Sequence, residues 1–190
     1  MNKKITTLIP FILFYFGFSQ NNIEGYVSNP TNLVANPNST KETIKILFIG
    51  SSYFDYNDMA GIFENLSNVS GNDIYIDDVI TSGYLANHAS RISTESKINE
   101  NNWDYIILQG VGRITAYPEA YTDHPVYPSL VTLRDKISRN CESTKMLFCL
   151  PWAFEDGMTW LEGWTDTYAD MQIKINETTI EYSDDIGFDI

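Results

Sequence analysis

Cysteine and histidine are both scarce in this sequence, with two of each in 190 residues. No Cys/His cluster has metal-ligand spacing, so no metal site is expected and no cofactor is implied. Cys141 and Cys149 allow one disulfide at most. Cys149 falls in an apolar run that reads as a buried strand, with Cys141 just before it, and two separate thiols are the expectation. Cations are few as well: 12 Lys and Arg stand against 25 Asp and Glu, a net charge of −13. Such a chain repels phosphate backbones, which excludes nucleic acid as a partner. Neither G-x-G-x-x-G nor a Walker sequence is present, which argues against a nucleotide-binding domain of flavodoxin type.

Long apolar runs are missing too, apart from Ile5 to Phe18. That run is shorter than the roughly 20 residues of a spanning helix. It follows Lys3-Lys4 and precedes the small residues Gly17 and Ser19, the pattern of a signal peptide over residues 1–20. The expectation is an exported protein, periplasmic or extracellular, with no membrane attachment after cleavage. Cleavage would leave 10 cations against 25 acids, a net charge of −15. Residues 21–43, rich in Asn, Ser, Thr and Pro, read as a linker.

What is present is a regular alternation of apolar runs and helical stripes over residues 44–190. Ile44 to Ile49 is a short apolar run closed by Gly50. Met59, Ile62, Phe63 and Leu66 then recur at helical spacing behind a cap at Asn57 or Asp58. Ile74 to Ile80 is a second strand, followed by Ser82-Gly83 and one or two short helices from Ala86 to Asn99. Trp103 to Gln109 is a third strand, followed by a long loop with Pro118, Pro125 and Pro128 and by a helix marked by Leu130, Leu133 and Ile137. Lys145 to Leu150 is a fourth strand, stopped by Pro151. Met171, Ile175 and Tyr182 share a last helical face, and Ile186 to Ile190 reads as the opening of a fifth strand. The order predicts an α/β domain with a parallel sheet and helices on both faces. Ligands in such folds sit beyond the carboxyl ends of the strands. The turns there are Gly50-Ser51-Ser52-Tyr53, Ser82-Gly83-Tyr84, Gln109 to Arg113, and Pro151-Trp152.

A serine in a tight turn after the first strand, at the start of a helix, is a candidate nucleophile beside backbone N–H groups that can hold an oxyanion. It can equally be a capping serine. The segments around it decide more than the turn does. Ile46 to Tyr53 with Asn57-Asp58-Met59, Gly83-Tyr84-Leu85 with His88, Trp103 to Gln109, Pro151 to Phe154, and Thr167 to Gln172 occur in an order that resembles the SGNH/GDSL hydrolases. They are most similar to the branch with Gly-Asn-Ser followed by an aromatic. The resemblance implies a flavodoxin-like three-layer sandwich and an esterase. It implies Ser52 as nucleophile, the backbone N–H groups of Ser52 and Gly83 as oxyanion donors, and Gln109 where the family presents an asparagine. Tyr53, His88 and Trp152 are the expected substrate-binding residues.

Two departures stand out. The family's asparagine is absent, with Gln109 as the substitute or as a strand-end residue bonded to backbone. The family's base comes from an Asp-x-x-His block after the fifth strand, and residues 1–190 contain only His88 and His124. The resemblance thus implies that the sequence stops as that strand begins, ahead of the block, leaving a sheet edge exposed; a His124 base held by Asp123 is the other arrangement. The expected activity is hydrolysis of small acyl esters, O-acetyl groups on carbohydrate above all, by a monomer. The competing reading is an exported carbohydrate-binding protein that keeps the fold without the chemistry.

Overall fold

The computed structural model describes residues 43–56, 58–81, 84–117, 124–160 and 163–190. The signal peptide, almost all of the linker, the Asn57 cap, Gly83, Pro118 and Asp123 lie outside them. Four strands form one parallel sheet: β1 (Ile44–Gly50), β2 (Ile74–Ile80), β3 (Tyr105–Gln109) and β4 (Lys145–Cys149), in the order β2-β1-β3-β4. Its register pairs Ile46 with Ile76 and Tyr105, and Leu108 with Phe148.

Both faces of the sheet are apolar, as the continuous runs require. Leu47, Ile49, Ile106, Leu108, Met146 and Phe148 point into one core. Ile46, Phe48, Ile76, Tyr105 and Ile107 point into the other. The first face is packed by α3 (Leu85–Ser90), α4 (Ile92–Ile98), α6 (Val126–Asn140) and α7 (Tyr168–Ile186), which supply Leu85, Ile98, Leu130, Leu133 and Tyr182. The second face is packed by α1 (Ser52–Asp55) and α2 (Met59–Val69), through Phe54, Ala60 and Phe63. The two-period of the strands makes this three-layer α/β sandwich.

Caps fix the helix ends. Asp58 caps α2 with its Oδ1 accepting from the Gly61 N–H at 3.1 Å, at φ 49°, a left-handed conformation that Asp tolerates. Thr167 caps α7 in the same way, through the Asp170 N–H. Gly187 ends α7 at φ 80°.

Two expectations need correction. Ile186 belongs to α7, not to a strand, because its side chain completes the buried stripe of Met171, Ile175, Thr179 and Tyr182. Pairing beside β4 begins later: Asp189 bridges Leu147 in parallel, through Asp189 N–H to Met146 O and Phe148 N–H to Asp189 O. The loop after β3 also differs: it ends before Pro128, which sits in the first turn of α6, where a missing N–H costs no intrahelical bond, and it holds a one-turn helix, α5 (Gly112–Ala116). Five residues are too few to show a 3.6-residue period.

The chain leaves β1 for β2 on one side and returns to β3 on the other. This reversal opens a crevice at the carboxyl ends of β1 and β3. The turns into α1 and α5 lie there.

Candidate active site

The turn after β1 divides its two serines. Ser51 is the N-cap of α1 and only 2% exposed. Its Oγ donates to Gln109 Oε1 at 2.8 Å and accepts from the Tyr53 N–H at 3.4 Å. Its own N–H points to the same Gln109 oxygen at 3.3 Å. Ser52 is the first residue of α1, and its side chain is exposed. The first N–H groups of a helix have no intrahelical acceptor, so the Ser52 N–H is a donor beside its own hydroxyl. Gly50 makes the bend fit: a Cβ there would sit 2.5 Å from Phe54, whose buried ring packs edge-on to Phe48. Ser51→Ala removes the cap and takes from buried Gln109 Oε1 the shorter of its two donors, leaving the backbone N–H. It is expected to cost about 1–2 kcal/mol in a urea melt.

Gln109 is 2% exposed, and both ends of its amide are engaged. Oε1 takes the two Ser51 donors, and Nε2 donates to Gly110 O. The expected oxyanion donor is therefore a brace for the serine turn, the strand-end alternative in another form.

His88, expected at the substrate, lies buried beneath the turn and braces it. It is 1% exposed. Its Nε2 lies 2.9 Å from Gly50 O, a group that only accepts, so Nε2 carries the proton. Nδ1 then accepts from the Thr94 hydroxyl at 3.0 Å. Burial lowers its pKa below the ordinary 6.5. The ring is neutral in the native state, whereas the unfolded chain takes up a proton as pH falls through about 6.5. Above that pH this contribution to stability is fully present, and below it stability is lost toward the lower native value. Urea melts from pH 8 to 5 are expected to show this loss in the parent and a shallower slope in His88→Gln. Equal slopes would show that His88 is not held neutral.

Two aromatic pairs stand over the same edge. Tyr53, next to Ser52, stacks on Trp152 with centroids 4.5 Å apart and planes 12° from parallel. Trp152 is 51% exposed, so part of its indole remains open. Tyr84, the N-cap residue of α3, stacks on the His124 ring at 4.0 Å. Arg113 of α5 joins the pairs. It donates from Nη2 to the Tyr84 hydroxyl and lies 5.6 Å from that ring's centroid. Its charge also acts on Tyr53, whose hydroxyl burial pushes above the usual tyrosine range while Arg113 pulls it back. Gly112 lets this end of α5 close on the Trp152 backbone.

The structure thus places Ser52, Tyr53 and Trp152 on one edge and sets His88 and Gln109 beneath it. Arg113 was not singled out from sequence, although it is a rare cation in one of the four turns that matter. The cysteines are free thiols. Burial raises Cys149 to about 11, which leaves it an inert core group. Among the described residues no helix is long and apolar enough to cross a membrane.

No protein-family model matches the sequence, and no curated protein matches it. Among solved structures the chain is similar to a protein from Slackia heliotrinireducens described as an SGNH hydrolase, with TM-score 0.59, 18% identity and 77% of each chain covered. It is also similar to the periplasmic domain of a lipopolysaccharide acetyltransferase from Salmonella ser. Paratyphi A. There the TM-score is 0.52 and the identity 11%, over 78% of this chain and 65% of that one. The fold is that of the SGNH hydrolases.

Proposed function

We propose that this protein hydrolyses carboxylic esters through Ser52, with O-acetyl groups on carbohydrate as the substrate class. The carrying observation is the contrast between adjacent serines. Ser51 is buried as a brace, and Ser52 is exposed at the first turn of a helix after the central strand. A merely structural Gly-Ser-Ser turn has no need to present its second hydroxyl at the crevice of an α/β sheet.

The steps follow from the geometry. Ser52 Oγ bonds to the acyl carbon as its proton passes to a base. The oxyanion forms beside the Ser52 N–H, with Gly83 as the proposed second donor. The alcohol leaves with the proton, and water releases the acid by the reverse sequence. His88 cannot be the base, because its nitrogens are held by Gly50 and Thr94. The resemblance assigns that role to a histidine block behind a fifth strand.

The carbohydrate assignment rests on the half-open indole of Trp152, a flat surface beside the nucleophile on which a sugar ring can lie. Export, from the basic and apolar first 20 residues, belongs to the same proposal. One observation favours the second reading, a non-catalytic carbohydrate-binding protein: the Gln109 amide is spent on Ser51 and Gly110.

A fluorophosphonate probe separates the two. Phosphonylation mapped to Ser52 by peptide mass, and lost in Ser52→Ala, supports the hydrolase. No labelling together with no hydrolysis of p-nitrophenyl acetate supports the binding protein.

A further inference from the structure

Among the described cations, Arg113 stands with Lys45, Arg91, Arg139 and Lys145, which bridge no carboxylate, rather than with the ion-paired ones. Lys97, Lys136, Lys174 and Arg134 each meet a carboxylate at 2.6–2.9 Å. Arg113 is half-buried, and among the described residues no carboxylate bridges it. Its place rather than its lack of a carboxylate sets it apart: it follows β3 at the crevice, with its guanidinium at the hydroxyl of Tyr84. One of its five N–H donors goes to the Tyr84 hydroxyl. Its electrostatic reach includes Tyr53, the neighbour of the exposed serine.

We infer that Arg113 reads a carboxylate on the sugar portion of the ester, so that the preferred substrate is an acylated acidic sugar rather than a neutral one. This rests on the esterase reading of Ser52 and names its substrate class. The guanidinium fork matches a planar carboxylate with two parallel N–H bonds. One cation balances one negative charge. A phosphate monoester brings nearly two, into the field of a protein whose net charge is −13. The bond to the Tyr84 hydroxyl holds the fork with little further loss of side-chain freedom, and the Tyr53–Trp152 pair supplies the flat surface for the ring.

Tryptophan fluorescence titrations with an oligogalacturonate and a neutral galactan oligomer of equal length test this without any chemistry. The parent is expected to bind the acidic oligomer more tightly, and the preference should weaken with salt. Arg113→Gln is expected to cut the preference about tenfold or more, with Arg113→Lys retaining part of it. In hydrolysis, the ratio of kcat/KM for an O-acetylated galacturonate oligomer to that for p-nitrophenyl acetate should fall in Arg113→Gln, mostly through KM. Equal binding of the two oligomers by the parent overturns the inference, as does an unchanged preference in a folded Arg113→Gln. If that variant does not fold, the parent's own comparison and Arg113→Lys decide. An acidic preference without Ser52-dependent hydrolysis sinks the esterase reading and leaves Arg113 as the reader of a carboxylate. Ser52-dependent hydrolysis without the preference does the opposite.

Discussion

Ser52→Ala is expected to lower hydrolysis of p-nitrophenyl acetate by at least about 10³-fold, because loss of a serine nucleophile leaves only binding and oxyanion stabilisation. The same variant should melt within about 0.5 kcal/mol of the parent, since the side chain it removes is exposed. The neighbouring variant reverses the pattern. Ser51→Ala loses stability first, because that hydroxyl is buried between Gln109 and the Tyr53 N–H. Its activity falls only as far as the turn that presents Ser52 shifts. The pair of variants is more telling than either alone. Two serines one residue apart differ in burial, so a general disturbance of the turn predicts similar losses from both. If Ser52→Ala keeps more than a tenth of the activity, Ser52 is not the nucleophile, whatever the melts show.

Much of the fold is legible in the sequence because parallel strands buried on both faces need continuous apolar runs. Ile46-Leu47-Phe48-Ile49 serves both cores at once, two residues to each. The helices of α6 and α7 are legible for a related reason, since Leu130, Leu133 and Ile137, or Met171 and Ile175, must share a face. The end of α7 is not, because Ile186 satisfies both a helical stripe and a strand opening, and only packing chooses. The site is legible to the level of the turns. Position after a strand locates Ser52 and Trp152, yet it cannot say which of two serines turns inward. It also cannot show that His88 reaches back 38 residues to hold the Gly50 carbonyl. Such braces depend on side-chain direction across the sheet, which no local pattern carries. Arg113 marks the same limit: its scarcity is visible in the sequence, its aromatic surroundings only in the fold.

The second large effect is expected from Gly112→Ala, a change of one methyl group. A Cβ at Gly112 would lie 2.5 Å from the backbone oxygen of Trp152 and 3.6 Å from Ile175 Cδ1. A side chain in the way can change rotamer; a carbonyl can move only with its chain. That chain is tethered. The Ala153 N–H donates to Gln172 Oε1 at 2.9 Å, and the Phe154 N–H points to Met171 Sδ at 3.3 Å, both on α7. Relief therefore requires α5 to withdraw or the Trp152 segment to break its hold on α7. The expected cost is about 3 kcal/mol, at the upper end for an overpacked site because the obstacle is backbone. Either movement also separates Arg113, on α5, from the Tyr53–Trp152 pair. Affinity for the acidic oligomer should fall together with stability, and the neutral oligomer should lose whatever part of its affinity depends on the indole. Urea melts give the first quantity and fluorescence titration the second. A variant as stable as the parent would mean that α5 and the Trp152 segment are not in contact at Gly112. A destabilised variant with undiminished oligomer binding would place the sugar surface away from Trp152.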